Sequence, residues 1–148
     1  MFNKRRAREL AMQILFVWDS TSEHDVSLAR NLLADSGEDP ALQAAAMQMA
    51  GGAWEQREMI DTRVEKIAPQ WPPRRQPAVD RNLLRLAVWE LTNLPTPPKV
   101  VIDEAIELAK HFSTEQSPAF INGVLDAVLR ENRALTQGAD PAPGETGG

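Results

Sequence analysis

From Asn3 to about Asp19, the apolar residues Ala7, Leu10, Ala11, Ile14, Leu15 and Trp18 recur at spacings of three and four, which places them on one face of a helix. The opposite side then carries Arg5, Arg8 and Met12 along one line and Arg6 and Gln13 along another, so the guanidinium groups are expected to point outward together. Ser20 to Asp25 is a polar connector, with Ser22 or Asp25 available to cap a second helix that runs to about Ala34 and stops at Ser36-Gly37. Asp39-Pro40 pairs a capping residue with a first-turn proline and opens a long helical stretch to about Ala68. Gly51-Gly52 is the candidate break within it, since each glycine weakens a helix by roughly 1 kcal/mol. The prolines between Trp71 and Pro77 restrict the residues before them, so this segment is read as an ordered loop.

Between Ala78 and about Asn93 the residues Leu83, Leu84, Leu86, Ala87, Val88, Trp89 and Leu91 are apolar on most sides, the pattern of a buried central helix. Leu94 to Pro98 separates it from a helix over Lys99 to about Phe112, whose inward stripe is Val101, Ala105, Leu108, Ala109 and Phe112, with Asp103, Glu104, Glu107 and Lys110 toward water. Ser113 to Ser117 makes a turn, and Ser117-Pro118 starts the last helix, with Phe120, Ile121, Val124, Leu125, Val128 and Leu129 facing the core. Gly123 lies inside that stripe, which predicts close approach of another backbone there. From about Thr136 the chain lacks large apolar residues and cannot offset its ordering entropy. The expectation is therefore an all-α protein, a helical domain over 1–135 and a disordered tail over 136–148.

Composition narrows the function classes. The chain contains no cysteine, which excludes disulfides, thiolate metal sites and a cysteine nucleophile and fits a cytoplasmic setting. The basic N-terminus is followed by an amphipathic segment rather than a secretory signal, and no stretch of about 18 uncharged apolar residues occurs, so a soluble protein with no membrane partner is expected. The net charge of −5 argues against a polyanion partner, yet four positive residues and no acid fall within the first eight, leaving −9 on the remainder. A polyanion would thus be met at one place.

Lys4-Arg5-Arg6-Ala7-Arg8 is the most informative polar run, because arginine offers planar donors for phosphate and stacks on unpaired bases. It reads either as a nucleic-acid patch or as a solvated basic start. Four phosphate contacts to single-stranded RNA would give a salt slope of about −3 in log affinity. Asp103, Glu104 and Glu107 fit a solvated helix face better than acid/base catalysis, so no catalytic residue is assigned. His24 and His111 are isolated and form no zinc motif, and Gly51-Gly52 lacks both the P-loop and the dinucleotide-binding spacing. Neither metal nor cofactor is expected. Trp18, Trp54, Trp71 and Trp89 are read as core anchors, with Trp71 the most exposed, whereas Phe120 either stacks on a base or closes the core.

Three stretches carry a family resemblance: Arg5 to Phe16, Asp80 to Leu91, and Val101 to Lys110 followed by Phe112-Ser113 and by Phe120-Ile121-Asn122-Gly123-Val124-Leu125-Asp126. In order and spacing they resemble the NusB family over about residues 3 to 133. The resemblance implies two small packed helical bundles and a non-catalytic transcription antitermination factor for the boxA RNA of ribosomal leader transcripts. It would act with NusE, a small-subunit ribosomal protein, in the RNA polymerase elongation complex, and the free protein would be a monomer or a homodimer. By position, the implied RNA contacts are Lys4, Arg5, Arg6 and Arg8 with Gln13 and Phe16, joined by Glu115, Gln116, Ser117 and Phe120 at the turn. Asp80, Arg81 and Glu90 are the implied NusE surface. Phe16 lacks a hydroxyl common at its position, and Gln116 and Pro118 replace more polar residues. Two other readings are a helical protein adaptor that binds no RNA, and a relative of the RNA-presenting domain of rRNA cytosine methyltransferases. Only a short Pro/Gly-rich segment follows Arg133, so no catalytic domain of that kind is expected.

Overall fold

The computed structural model describes residues 3–139, which form α1 (Lys4–Thr21), α2 (Val26–Asp35), α3 (Pro40–Glu55), α4 (Arg57–Ile67), α5 (Ala78–Asn93), α6 (Pro98–Phe112) and α7 (Ser117–Ala139), with a 3-10 turn at Pro73–Arg75. Among these residues there is no strand, and no helix is long and apolar enough to cross a membrane. The helix starts follow local chemistry. Asn3 caps α1 by accepting from the backbone N–H groups of Arg5 and Arg6, and Asp25 caps α2 by accepting from Leu28. Ser22 ends α1 instead, in the left-handed region at φ 58°.

α1 packs on α3 and α5, whereas α6 and α7 pack on each other and on α5. The two bundles therefore share α5, whose side chains from Asn82 to Glu90 are all buried. The apolar residues form one contiguous core. Trp18 anchors the first bundle in T-shaped contact with Trp54, ring centroids 5.6 Å apart, and its indole N–H donates to the Asp25 carbonyl.

Three local expectations change. The break after α3 falls at Gln56, because Arg57 reaches back to the Trp54 carbonyl at 2.8 Å and lies over the Trp54 ring. Close approach occurs at Gly52, where a Cβ would meet the Trp89 indole, while Gly123 faces open space. α7 runs to Ala139, so the boundary expected at Thr136 lies inside it, and the remaining tail residues fall outside the described residues.

Buried charges set the register between helices. Arg8 meets Glu90 where α1 crosses the end of α5, and Asp19 meets Arg81, Asn82 and Arg85 where it crosses the start. Arg85 also pairs with Asp61 of α4 at 2.6 Å, so one guanidinium joins three helices. Burial pushes the Asp19 carboxyl up, but the hydrogen bonds from Arg81 and Asn82 and the charges of both arginines outweigh it and hold it below its ordinary value.

Candidate nucleic-acid interface

Four basic residues enter through the first two turns of α1, and the structure gives them different fates. Lys4 is exposed and makes no ion pair among the described residues. Arg5, also exposed, donates through Nε and Nη2 to both oxygens of Glu104, each at 2.8 Å. The hydrogen bond from Arg5 is the main reason the Glu104 carboxyl is held below its ordinary value, with partial burial opposing and the charges of Arg5 and Arg8 assisting. Arg6 is half-buried between Glu38 at 2.9 Å and Glu9 at 3.2 Å.

Arg8 corrects the expectation of an outward-pointing row. It is 4% exposed and held by both oxygens of Glu90, at 2.8 and 2.6 Å, so it faces α5 and cannot touch a ligand. The physical cause is its place on the helix: four residues before Met12 and seven before Leu15, both buried, it shares their face. Glu104, expected in water, is largely covered by Arg5.

Farther along α1 the surface becomes apolar. Gln13, half-buried, and Phe16, 42% exposed, line a cleft of about 370 Å³ with Met12, Val17, Leu32, Val79 and Phe112. Phe112 is 43% exposed, against the inward position expected from its stripe. It is the last residue of α6, where the helix runs out beyond the core. The cleft thus brings together α1, α2, the start of α5 and the end of α6, with an exposed aromatic ring on α1 and another on α6.

The turn that follows Phe112 is fixed from below. Asp80, in the first turn of α5, accepts from the hydroxyls of Ser113 and Ser117, and Ser117 is buried. Ser117 therefore positions the turn rather than contacting a ligand, whereas Glu115 and Gln116 are exposed. Phe120, half-buried, packs against Trp71 with ring centroids 5.1 Å apart and planes inclined by 37°.

The three residues expected to form a protein-partner surface are all engaged internally. Asp80 is buried beneath the turn, and Glu90, 1% exposed, holds Arg8 and accepts from the Thr96 hydroxyl. Arg81 is mostly covered and donates to Asp19 and to the carbonyls of Pro73 and Gln76. None of the three offers its charge to a partner in this conformation. A signal for two internally engaged charges existed: Arg85 and Glu90 interrupt the apolar run from Leu83 to Leu91, and a buried charge requires a partner. Phe112 and Glu104 left no equivalent trace, because their surroundings come from distant segments.

Residues 5–130 match the model of the NusB family. The transcription antitermination protein NusB of Solibacter usitatus (strain Ellin6076) is 47% identical over 134 residues, covering 88% of this chain and 91% of its own. The solved NusB of T. maritima superposes with a TM-score of 0.81 at 35% identity, covering 88% of this chain and 92% of its own. A structure of antitermination factors NusB and NusE in complex with dsRNA gives a TM-score of 0.79 at 28% identity, over 86% of this chain and 96% of that one.

Proposed function

The chain belongs to the NusB family, and we propose that it acts as a transcription antitermination factor that binds boxA RNA together with NusE and joins the elongating RNA polymerase. The role is one of binding, and no side chain is given a catalytic part. The observation that carries this reading is the pair of exposed rings, Phe16 and Phe112, on either side of an apolar cleft whose α1 wall also bears Gln13. Unpaired bases stack on such rings at about 1–3 kcal/mol each, and single-stranded RNA supplies them. Lys4, Arg5 and Arg6 would meet phosphates, and Glu115, Gln116 and Phe120 would extend the contact at the turn. Asp80, Ser117, Arg8 and Glu90 support that surface from within.

The acidic partners of the α1 arginines favour a second reading, a protein adaptor that binds no RNA. Magnitudes separate the cases. Water already screens the exposed Arg5 guanidinium, so it can exchange Glu104 for a phosphate at little cost, and half-buried Arg6 at somewhat more. Arg8 cannot, since leaving Glu90 would strand a buried charge. Three cations rather than four then remain on α1, and their salt slope falls from about −3 to about −2.

Titrating labelled boxA RNA against a scrambled sequence, with and without NusE and at two salt concentrations, tests the proposal. Preference for boxA, tightening with NusE and a slope of at least about 2 in magnitude are expected. Equal, salt-insensitive binding of both RNAs, or none, would leave the adaptor reading.

A further inference from the structure

Trp71 differs from the other tryptophans. Trp18, Trp54 and Trp89 are buried, whereas Trp71 is 38% exposed on the segment between α4 and α5. Its ring is nevertheless held in place. The indole N–H donates to the Arg75 carbonyl at 3.1 Å, the Gln76 amide donates to the Trp71 carbonyl at 3.1 Å, and Phe120 packs against it. Pro72 and Pro73 are buried beneath the segment, and Arg81 ties the Pro73 and Gln76 carbonyls to Asp19 of α1. An aromatic side chain fixed in this way loses little conformational freedom when something stacks on it.

The charges beside Trp71 indicate what would stack. Arg75 is exposed and makes no ion pair among the described residues, and the nearest acid to Arg74 is Glu65 at 3.8 Å, with both side chains largely in water. These guanidiniums are therefore more available to phosphate than Arg5 or Arg6, which already hold carboxylates. A protein partner would favour an apolar surround for a central tryptophan, but Gln70, Arg74 and Arg75 are all exposed polar residues.

We propose that the 71–75 segment is a second RNA contact, in which a base stacks on Trp71, backed by Phe120, while Arg74 and Arg75 meet the adjoining phosphates. This rests on the RNA-binding reading above and extends the path beyond the turn that bears Gln116. Because the other three indoles are buried, RNA binding is expected to quench tryptophan fluorescence through Trp71 alone. Titration of the full chain with boxA RNA, in the presence of NusE, reads this directly.

Quenching should vanish in Trp71→Phe, which keeps a stacking ring and most of the affinity. Trp71→Ala should bind at least about fivefold more weakly, the loss of one stacked base. The double variant Arg74→Ala/Arg75→Ala should reduce the salt slope by about 1.4 in magnitude, corresponding to two phosphates. If the wild type binds boxA RNA without quenching, and the alanine variants match it in affinity and slope, the second contact is wrong while the RNA-binding reading stands. Weakened NusE binding with unchanged RNA binding would make the segment a protein contact and overturn the proposal. Absence of RNA binding by the wild type would overturn both readings.

Discussion

Glu90→Ala is expected to destabilise the protein by about 3–5 kcal/mol, a large share of the roughly 5–15 kcal/mol that holds a domain of this size. Glu90 is fully engaged: both of its oxygens accept from Arg8, and one also accepts from the Thr96 hydroxyl. Burial alone would favour a neutral Arg8, but the hydrogen bond from its guanidinium to Glu90 is the larger influence and raises its pKa, so the charge persists. Without the carboxylate, that charge would sit between α1 and α5 with little access to water. Replacing both members with apolar residues of similar volume, as in Arg8→Met/Glu90→Leu, should recover most of the loss, because neither charge is then left unpaired. Chemical unfolding of the three proteins decides it. A cost below about 1 kcal/mol for the single substitution would mean the pair is far wetter than its geometry indicates.

The second large effect is expected at Gly52. A Cβ built there would stand 2.3 Å from Cε2 and 2.4 Å from Cζ2 of Trp89, whereas one at Gly51 would meet nothing within 4 Å. Both glycines lie inside α3. Alanine at either gains about 1 kcal/mol of helix propensity, but at position 52 it must displace a rigid, buried ring against the central helix. Overpacking of this kind costs about 1–3 kcal/mol, occasionally more. Gly52→Ala should therefore be clearly less stable than Gly51→Ala, with a shifted tryptophan emission from Trp89. Thermal unfolding of the two variants checks the difference, and equal midpoints would contradict the packing at Trp89.

These two sites also show what the chain disclosed before it was folded. The spacing of Ala7, Leu10, Ala11, Ile14, Leu15 and Trp18 located α1, and the nearly uniform apolar surface of Leu83 to Leu91 located the shared central helix, because burial leaves a period in the sequence. The prolines at 40 and 98 likewise mark helix starts through a purely local restriction. Contacts between helices leave no such period. Nothing local links Arg5 to Glu104 or Gly52 to Trp89, so the arginines of α1 read as one free basic row and the close approach was assigned to Gly123. The site was legible to the same extent. Gln13, Phe16, Glu115, Gln116 and Phe120 retain at least partial access to solvent, while Arg8, Ser117, Asp80 and Glu90 stand behind that surface. The resemblance assigned an external contact to both groups alike, and burial is what separates exposed residues from supporting ones.

The central claim is that one face, running along α1 across the Phe16–Phe112 cleft to the turn before α7, receives RNA. The measurement closest to it is the change in backbone amide resonances of isotopically labelled protein on adding boxA RNA. The largest changes are expected at Lys4 to Arg6, Gln13, Phe16, Phe112, Glu115, Gln116 and Phe120, with Arg8 responding only through its neighbours. Changes confined to the α4 surface around Met59, which lines no part of the cleft, with the α1 and Phe112 signals unmoved, would contradict it.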